Sequence, residues 1–463
     1  MDQLPKTKRI HFIGIGGAGM SAIAKVLIEM GHQVSGSDLK ESRYTKVLSE
    51  MGANITIGHD EKNSMGAEWV VISSAIPERN PELKLARKEN IKVLARAQML
   101  NQICSQKNKT IAIAGTHGKT TTTSMTALIL ERANLDPTFL IGGELNDIGS
   151  NAKYGSGEIC LVEADESDGS LVYLKPELAV VTNIDSDHLD YHLTFEKLVA
   201  LFQDWLAALG SSGKAIILGD GSPAEKAARE SGSEYITFGR SSENNIYYDD
   251  VISKDFESEF TVYDKDRGKD WRVRLSVPGE HNILNSMAAL AVAKSLDLDL
   301  EKAAQSLSEF KGVKRRFQLI GAVGGISIID DYAHHPTEVM ATLKAARGGQ
   351  WKRVICIFQP HRFSRTKQLH EQFGEAFGDA DITVMTDIYN AGELPIPGVT
   401  GKLLVDEILK HNPRSRLAYI PNKSEIRDYI LSILRPGDAL MTLGAGDVWD
   451  IGVNVHENLK SLA

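Results

Sequence analysis

The segment Gly115-Thr116-His117-Gly118-Lys119-Thr120-Thr121 joins the apolar run KTIAIA to the helix-forming run TTTSMTALILERA. A loop of this composition works where the carboxyl end of a strand meets the amino end of a helix, which commits this part of the chain to a parallel α/β sheet. Glycine lets backbone N–H groups approach phosphate oxygens, and the helix N-terminus adds partial positive charge. The spacing places Lys119 to reach the β- and γ-phosphates and the Thr120 hydroxyl to ligate Mg²⁺. The general pattern has glycine where this chain has Ile113. ATP is the expected ligand of Gly115 through Thr121.

A second glycine-rich turn lies near the start. Gly14-Ile15-Gly16-Gly17-Ala18-Gly19 follows the apolar run RIHFIGI, precedes the helix-like SAIAKVLIEMGH, and is trailed by Asp38 at the end of QVSGSD. Alone it reads as a dinucleotide fingerprint and would suggest an NAD enzyme, but the same geometry accepts any nucleoside diphosphate. A chain with this loop and a separate ATP loop is poorly described as a simple dehydrogenase. A nucleotide-diphosphate substrate explains both.

The chain has 463 residues, too many for one hydrophobic core. Strand-like and helix-like runs alternate over 10–104, resume at KTIAIAG, and begin again near 316 with GISIIDDYAHHP, RVICIFQP, DITVMTDIY and DALMTLGAGD. Between about 233 and 276 the texture changes to alternating segments such as EFTVYDK and DWRVRLSV, which predict antiparallel strands. KGVKRRFQ reads as a basic connector. The expected fold is α/β in three domains: a Rossmann-like domain over 1–105, a phosphate-loop ATPase domain with an added antiparallel sheet over 106–315, and a second Rossmann-like domain over 316–463.

A net charge of −9 argues against a general nucleic-acid binder. No window approaches the length of apolar sequence a membrane helix needs. Cys104, Cys160 and Cys356 lie far apart in sequence with no CxxC pair, as in a reducing compartment, and argue against a thiolate metal site. A soluble, cytoplasmic protein with no obligatory protein partner is expected.

Downstream of the ATP loop, EICLVEAD ends in Glu163-Ala164-Asp165-Glu166-Ser167-Asp168, where a carboxylate is placed to share the Mg²⁺. The next strand ends in Thr182-Asn183-Ile184-Asp185-Ser186-Asp187-His188, which makes a second metal site worth testing. Arg362 and Arg365, at i and i+3 after a strand, can form a fork for one carboxylate.

Together these stretches resemble the Mur ligase family. The match takes in GIGGAGMS at 14–21, GTHGKTTT at 115–122, EADESD at 163–168, TNIDSDHLD at 182–190, GEHNILN at 279–285, DDYAHHPTE at 330–338, PHRFSRT at 360–366 and GAGD at 444–447. The resemblance implies a UDP-sugar site formed by Gly14, Gly16, Gly17, Ala18, Gly19, Asp38 and Ser74. It implies Lys119, Arg316 and His188 in catalysis, Thr120, Glu163 and His188 at metal, and His281, Asn282, Asn285 and Asp331 at the nucleoside of ATP. Tyr332, His334, Arg362 and Arg365 would hold an amino acid. The alanine-adding subgroup fits best, joining L-alanine to UDP-N-acetylmuramate with ATP and Mg²⁺ in peptidoglycan synthesis. Several siblings carry a carbamoylated lysine after the histidine matching His188, and LVALFQDW has none. A peptide-recycling ligase acting on the same UDP-sugar is the alternative.

Overall fold

The computed structural model describes residues 8–145, 149–187, 189–211 and 213–462. Among the described residues three sheets are present, and each is framed by helices.

In the first, strands run in the order 54–57, 33–38, 9–13, 69–72, 92–95, all parallel. This order places the loop after Arg9–Ile13 at the sheet's switch point, where nucleotides bind in such folds. The helix Ala18–Glu29 follows; its buried side, including Ile23, Val26 and Leu27, packs on the sheet. Helix Pro81–Lys88 is capped by Asn80 and carries proline in its first turn, which explains its sharp start.

The second sheet holds ten strands. Its centre is parallel: Lys109–Ala114 lies between Ile159–Glu163 and Leu178–Val181, with Lys214–Leu218 and Tyr235–Gly239 beyond. The expected change of texture is present, although it starts later than 233. Tyr235–Gly239 is still parallel to its neighbours, and the meander begins with Ile246–Lys254, Glu257–Asp264 and Lys269–Leu275. An antiparallel pair, Thr138–Leu145 with Ser150–Lys153, extends the opposite edge and has no counterpart in the sequence reading.

The third sheet has six strands, five of them parallel. The sixth, Gln318–Val323, pairs antiparallel with Ile326–Asp331. Its first residue, Gln318, falls in the stretch expected to be a connector. The missed signal is Gly324-Gly325, both at positive φ (58° and 76°), a turn that suits a tight hairpin between two apolar runs.

Two compact units emerge: residues up to 248 with 262–271 and 284–307, and 249–261 with 272–283 and 308 onward. The first sheet and the parallel centre of the second lie in the first unit, and a single hydrophobic cluster runs through both from Ile10 to Ala228. Cys104 and Cys160, distant in sequence, meet within that cluster with sulfurs 3.3 Å apart. Among the described residues no helix is long and apolar enough to cross a membrane.

Candidate active site

The ATP loop has the predicted setting. Gly115 and Gly118 take φ of +129° and +80°, conformations that exclude most other residues. Space excludes them too: a Cβ on Gly115 would lie 2.2 Å from Thr182 Oγ1, and one on Gly118 2.2 Å from Asn285 Oδ1. The neighbouring strand end fastens the loop. Thr182 Oγ1 and Asn183 Nδ2 donate to the His117 carbonyl at 2.6 and 3.0 Å, while Asn183 Oδ1 accepts from His117 N. Asp185 N donates to Thr116 Oγ1, and the Asp185 carboxylate lies 3.0 Å from His117 Nε2. The TNID stretch is thus a brace for the loop, and Thr121 is buried behind it.

Lys119 is the first residue of the helix Lys119–Arg132 and folds back over the loop. Its Nζ donates to the carbonyls of Gly115 and Thr116 and to Glu166 Oε1 at 2.9 Å. Burial works against the ammonium charge, yet Glu166, Asp165 and Glu163 outweigh it and raise the lysine above its ordinary pKa. Among these crowded carboxylates the most enclosed one yields. Burial, reinforced by Asp165 and opposed by Lys119, pushes Glu166 up to about 7. Asp165 is held well below the carboxylate range, because Arg96 and Lys119 overcome its burial.

Thr120 Oγ1 donates to Glu163 Oε1 at 3.1 Å, and the other Glu163 oxygen accepts from Gly142 N at 2.8 Å. These two hard oxygen donors, side by side at the mouth of a phosphate loop, fit a Mg²⁺ ion. His188 lies outside the described residues.

The first glycine loop is formed as expected. Gly14 and Ile15 donate to the Ser37 carbonyl, and Gly16 N donates to Asp38 Oδ2 at 2.8 Å. Gly17 is the helix N-cap, Ala18 and Gly19 are in the first turn, and Ser74 is exposed just past the strand Trp69–Ile72. Beneath the loop lies a polar network the sequence did not announce. Glu82, fully buried, accepts from Ser37 Oγ (2.6 Å) and Asn63 Nδ2 (2.9 Å) and contacts His11 Nε2 (3.0 Å) and His59 Nδ1 (3.2 Å). Burial alone would raise its pKa, but these hydrogen bonds, His11 first, bring it down to about 2.

The adenine candidates have separate partners. Asn285 Oδ1 accepts from Thr122 Oγ1, and Asn282 Nδ2 donates to the Pro278 carbonyl. His281 is driven down to about 4 by burial and by the Arg316 charge, so it is neutral near pH 7.

In the third sheet, Asp331 uses one oxygen for Phe317 N and the other for Ala333 N, both at 2.7 Å, and burial raises it to about 6. It therefore fastens the turn around Arg315–Phe317, where both end residues have positive φ. Arg316 lies over the Tyr332 ring at 5.2 Å and 3.8 Å from Glu338. Tyr332, His334 and His361 pack ring against ring at 5.4 and 5.6 Å, and Arg365 Nη1 lies 3.3 Å from His361 Nδ1. His361 also stacks on Tyr389. Arg362 has φ of +69° and donates its N–H to the Tyr389 carbonyl. Three of the four amino-acid candidates thus fall in one aromatic cluster, and Arg362 is fastened beside it. His361 and Tyr389 are the additions that sequence reasoning missed. His361 stood within the PHRFSRT stretch, whereas nothing local marks Tyr389.

A phosphate loop with its lysine, a strand-end carboxylate beside the loop threonine, and a second glycine loop on a separate parallel sheet define an α/β enzyme with two loops of the nucleotide-binding type. The chain belongs to the Mur ligase family. Three models of that family match: the Mur ligase family catalytic domain over 9–108, the Mur ligase middle domain over 113–293, and the Mur ligase glutamate ligase domain over 315–446. It is 47% identical to the UDP-N-acetylmuramate–L-alanine ligase of Desulforamulus reducens, over 98% of each chain. It also resembles the crystal structure of a UDP-N-acetylmuramate–alanine ligase from Thermotoga maritima, with a TM-score of 0.83 and 27% identity over 98% of this chain and 100% of that one. A murein peptide ligase from Psychrobacter arcticus shares the fold at a TM-score of 0.72 and 24% identity, over 98% of each chain.

Proposed function

We propose that this chain joins L-alanine to the lactyl carboxylate of UDP-N-acetylmuramate at the expense of ATP, in the cytoplasmic synthesis of peptidoglycan precursors. The observation that carries the reading is full-length relatedness to alanine-adding ligases at 47% identity. Residues 1–105 take the UDP-sugar, 106–315 the ATP, and 316–463 the amino acid.

In the first step the lactyl carboxylate attacks the γ-phosphate, giving an acyl phosphate and ADP. The neutral amine of alanine then attacks the acyl carbon, and phosphate leaves. Two anions meet in the first step, so the catalytic work is electrostatic. Lys119 is an ammonium throughout, and it can exchange its carboxylate partner Glu166 for phosphate oxygens. Arg316 remains the second cation we assign to the γ-phosphate. Mg²⁺ held by Thr120 and Glu163 would neutralise triphosphate charge. Tyr332, His334, Arg362 and Arg365, with His361, form the cluster we assign to alanine; the arginines suit its carboxylate.

The deciding assay couples ADP release to UDP-N-acetylmuramate and each of the twenty amino acids, with a tripeptide alongside. Release with L-alanine and little with the tripeptide is expected; the reverse would make the chain a recycling ligase. Glu163→Gln is expected to raise the Mg²⁺ concentration for half-maximal rate about 10–100-fold. An unchanged Mg²⁺ requirement would remove Glu163 from the metal site.

A further inference from the structure

The first glycine loop has a charge deficit. From Gly14 to Ala24 the chain carries no lysine or arginine, so loop and helix offer a nucleoside diphosphate only N–H groups and a helix end. Lys25 follows, but its Nζ is spent on Ser150 Oγ at 2.6 Å and the Ala152 carbonyl at 2.8 Å, where the helix packs on the Thr138–Lys153 hairpin. A side-chain cation for two phosphates has to come from another element.

Arg96 is placed to supply it. It opens the helix Arg96–Cys104, directly after the strand Lys92–Ala95. Ala95 pairs in register with Ile72, which sets Arg96 at the same carboxyl edge as Ser74. Its guanidinium lies against the glycine loop: a Cβ on Gly19 would sit 2.8 Å from Arg96 Nη1. The other terminal nitrogen, Nη2, donates to Asp165 Oδ2 at 2.6 Å, so the fork touches both the first loop and the acidic strand end beside the ATP loop. The side chain keeps 28% exposure, enough for a ligand to reach it.

We propose that Arg96 is a binding residue for the diphosphate of the UDP-sugar and that Asp165 is its resting partner. This rests on the reading of the first loop as the UDP-substrate site. When substrate enters, the guanidinium is released from a half-exposed carboxylate and forks the phosphates, a geometry that arginine provides and lysine does not. The exchange also removes one cation from Asp165, which faces Lys119, so occupancy of the first loop alters the charge around the ATP lysine.

The test is calorimetric titration of the full-length protein with UDP-N-acetylmuramate and with UDP. Arg96→Ala is expected to weaken both about 10–100-fold, the usual loss for a charged hydrogen-bond partner. Arg96→Lys should recover part of it, and Asp165→Asn should bind at least as tightly as the parent. ATP affinity without UDP-sugar should stay within a few-fold in Arg96→Ala. The proposal is overturned by wild-type affinity in Arg96→Ala. It is equally overturned by equal weakening in Asp165→Asn, which would make the pair a structural latch, or by a loss seen with UDP-N-acetylmuramate but not UDP. Should Arg96→Ala not fold, weakening in Arg96→Lys together with none in Asp165→Asn supports it, and any other pattern overturns it. If the parent protein binds neither compound, the functional reading itself fails.

Discussion

Lys119→Met is expected to cut the rate of ADP formation about 10²–10³-fold, or roughly 3–4 kcal/mol of transition-state stabilisation. The reason is geometric and electrostatic together. The ammonium is enclosed by the loop carbonyls of Gly115 and Thr116 and kept charged by three carboxylates, so it is preorganised for developing phosphate charge and needs no solvent rearrangement. The same substitution leaves Glu166 buried beside an apolar side chain, which by itself destabilises the loop. The double variant Lys119→Met with Glu166→Gln separates the two effects. Thermal stability should return towards the parent in the double variant, while the rate should not. Near-normal turnover in Lys119→Met would dismiss the assigned role.

The second large effect concerns stability. Glu82→Ala is expected to cost about 3–5 kcal/mol, because it strips the shared acceptor from a buried polar network. His11, Ser37, His59 and Asn63 would all lose the carboxylate, and Ser37 carries the carbonyl that holds Gly14 and Ile15. A lower unfolding midpoint in urea should therefore come with weaker UDP-N-acetylmuramate binding. The pH dependence has a definite sign. The unfolded carboxylate takes up its proton near 4.5, whereas the native one resists until about 2, so this contribution is complete above 4.5 and declines as the pH falls towards 2. Glu82→Gln should lack that decline. Unaltered urea and acid unfolding in both variants would show that the network carries no stability.

Much of the candidate site was legible because its chemistry is local. A phosphate loop is seven consecutive residues, and the strand before it and helix after it are set by apolar runs and by glycines that only certain turns accommodate. That a carboxylate of the Glu163–Asp168 stretch would face Thr120 followed from a rule of parallel sheets, by which neighbouring strands deliver their carboxyl ends to one edge, and the family resemblance singled out Glu163. Residues brought in by other strands and helices were harder to see. Arg96, Glu82 and Tyr389 stand in unremarkable sequence, and each gains meaning from a partner distant in the chain: Asp165, Ser37 and His361. Gln318–Val323 could have been found, since two glycines between apolar runs mark a hairpin. The weight of its basic neighbours hid it.

Sequence by itself determined the α/β layering, both nucleotide loops and the family, because periodicity, glycine placement and loop spacing are properties of short windows. Tertiary structure decided which charges confront one another: that Glu166 rather than solvent holds Lys119, that Asp165 faces Arg96, and that Glu82 gathers two histidines beneath the first loop. Electrostatic energy depends on distance and burial, and neither is defined until the chain has folded.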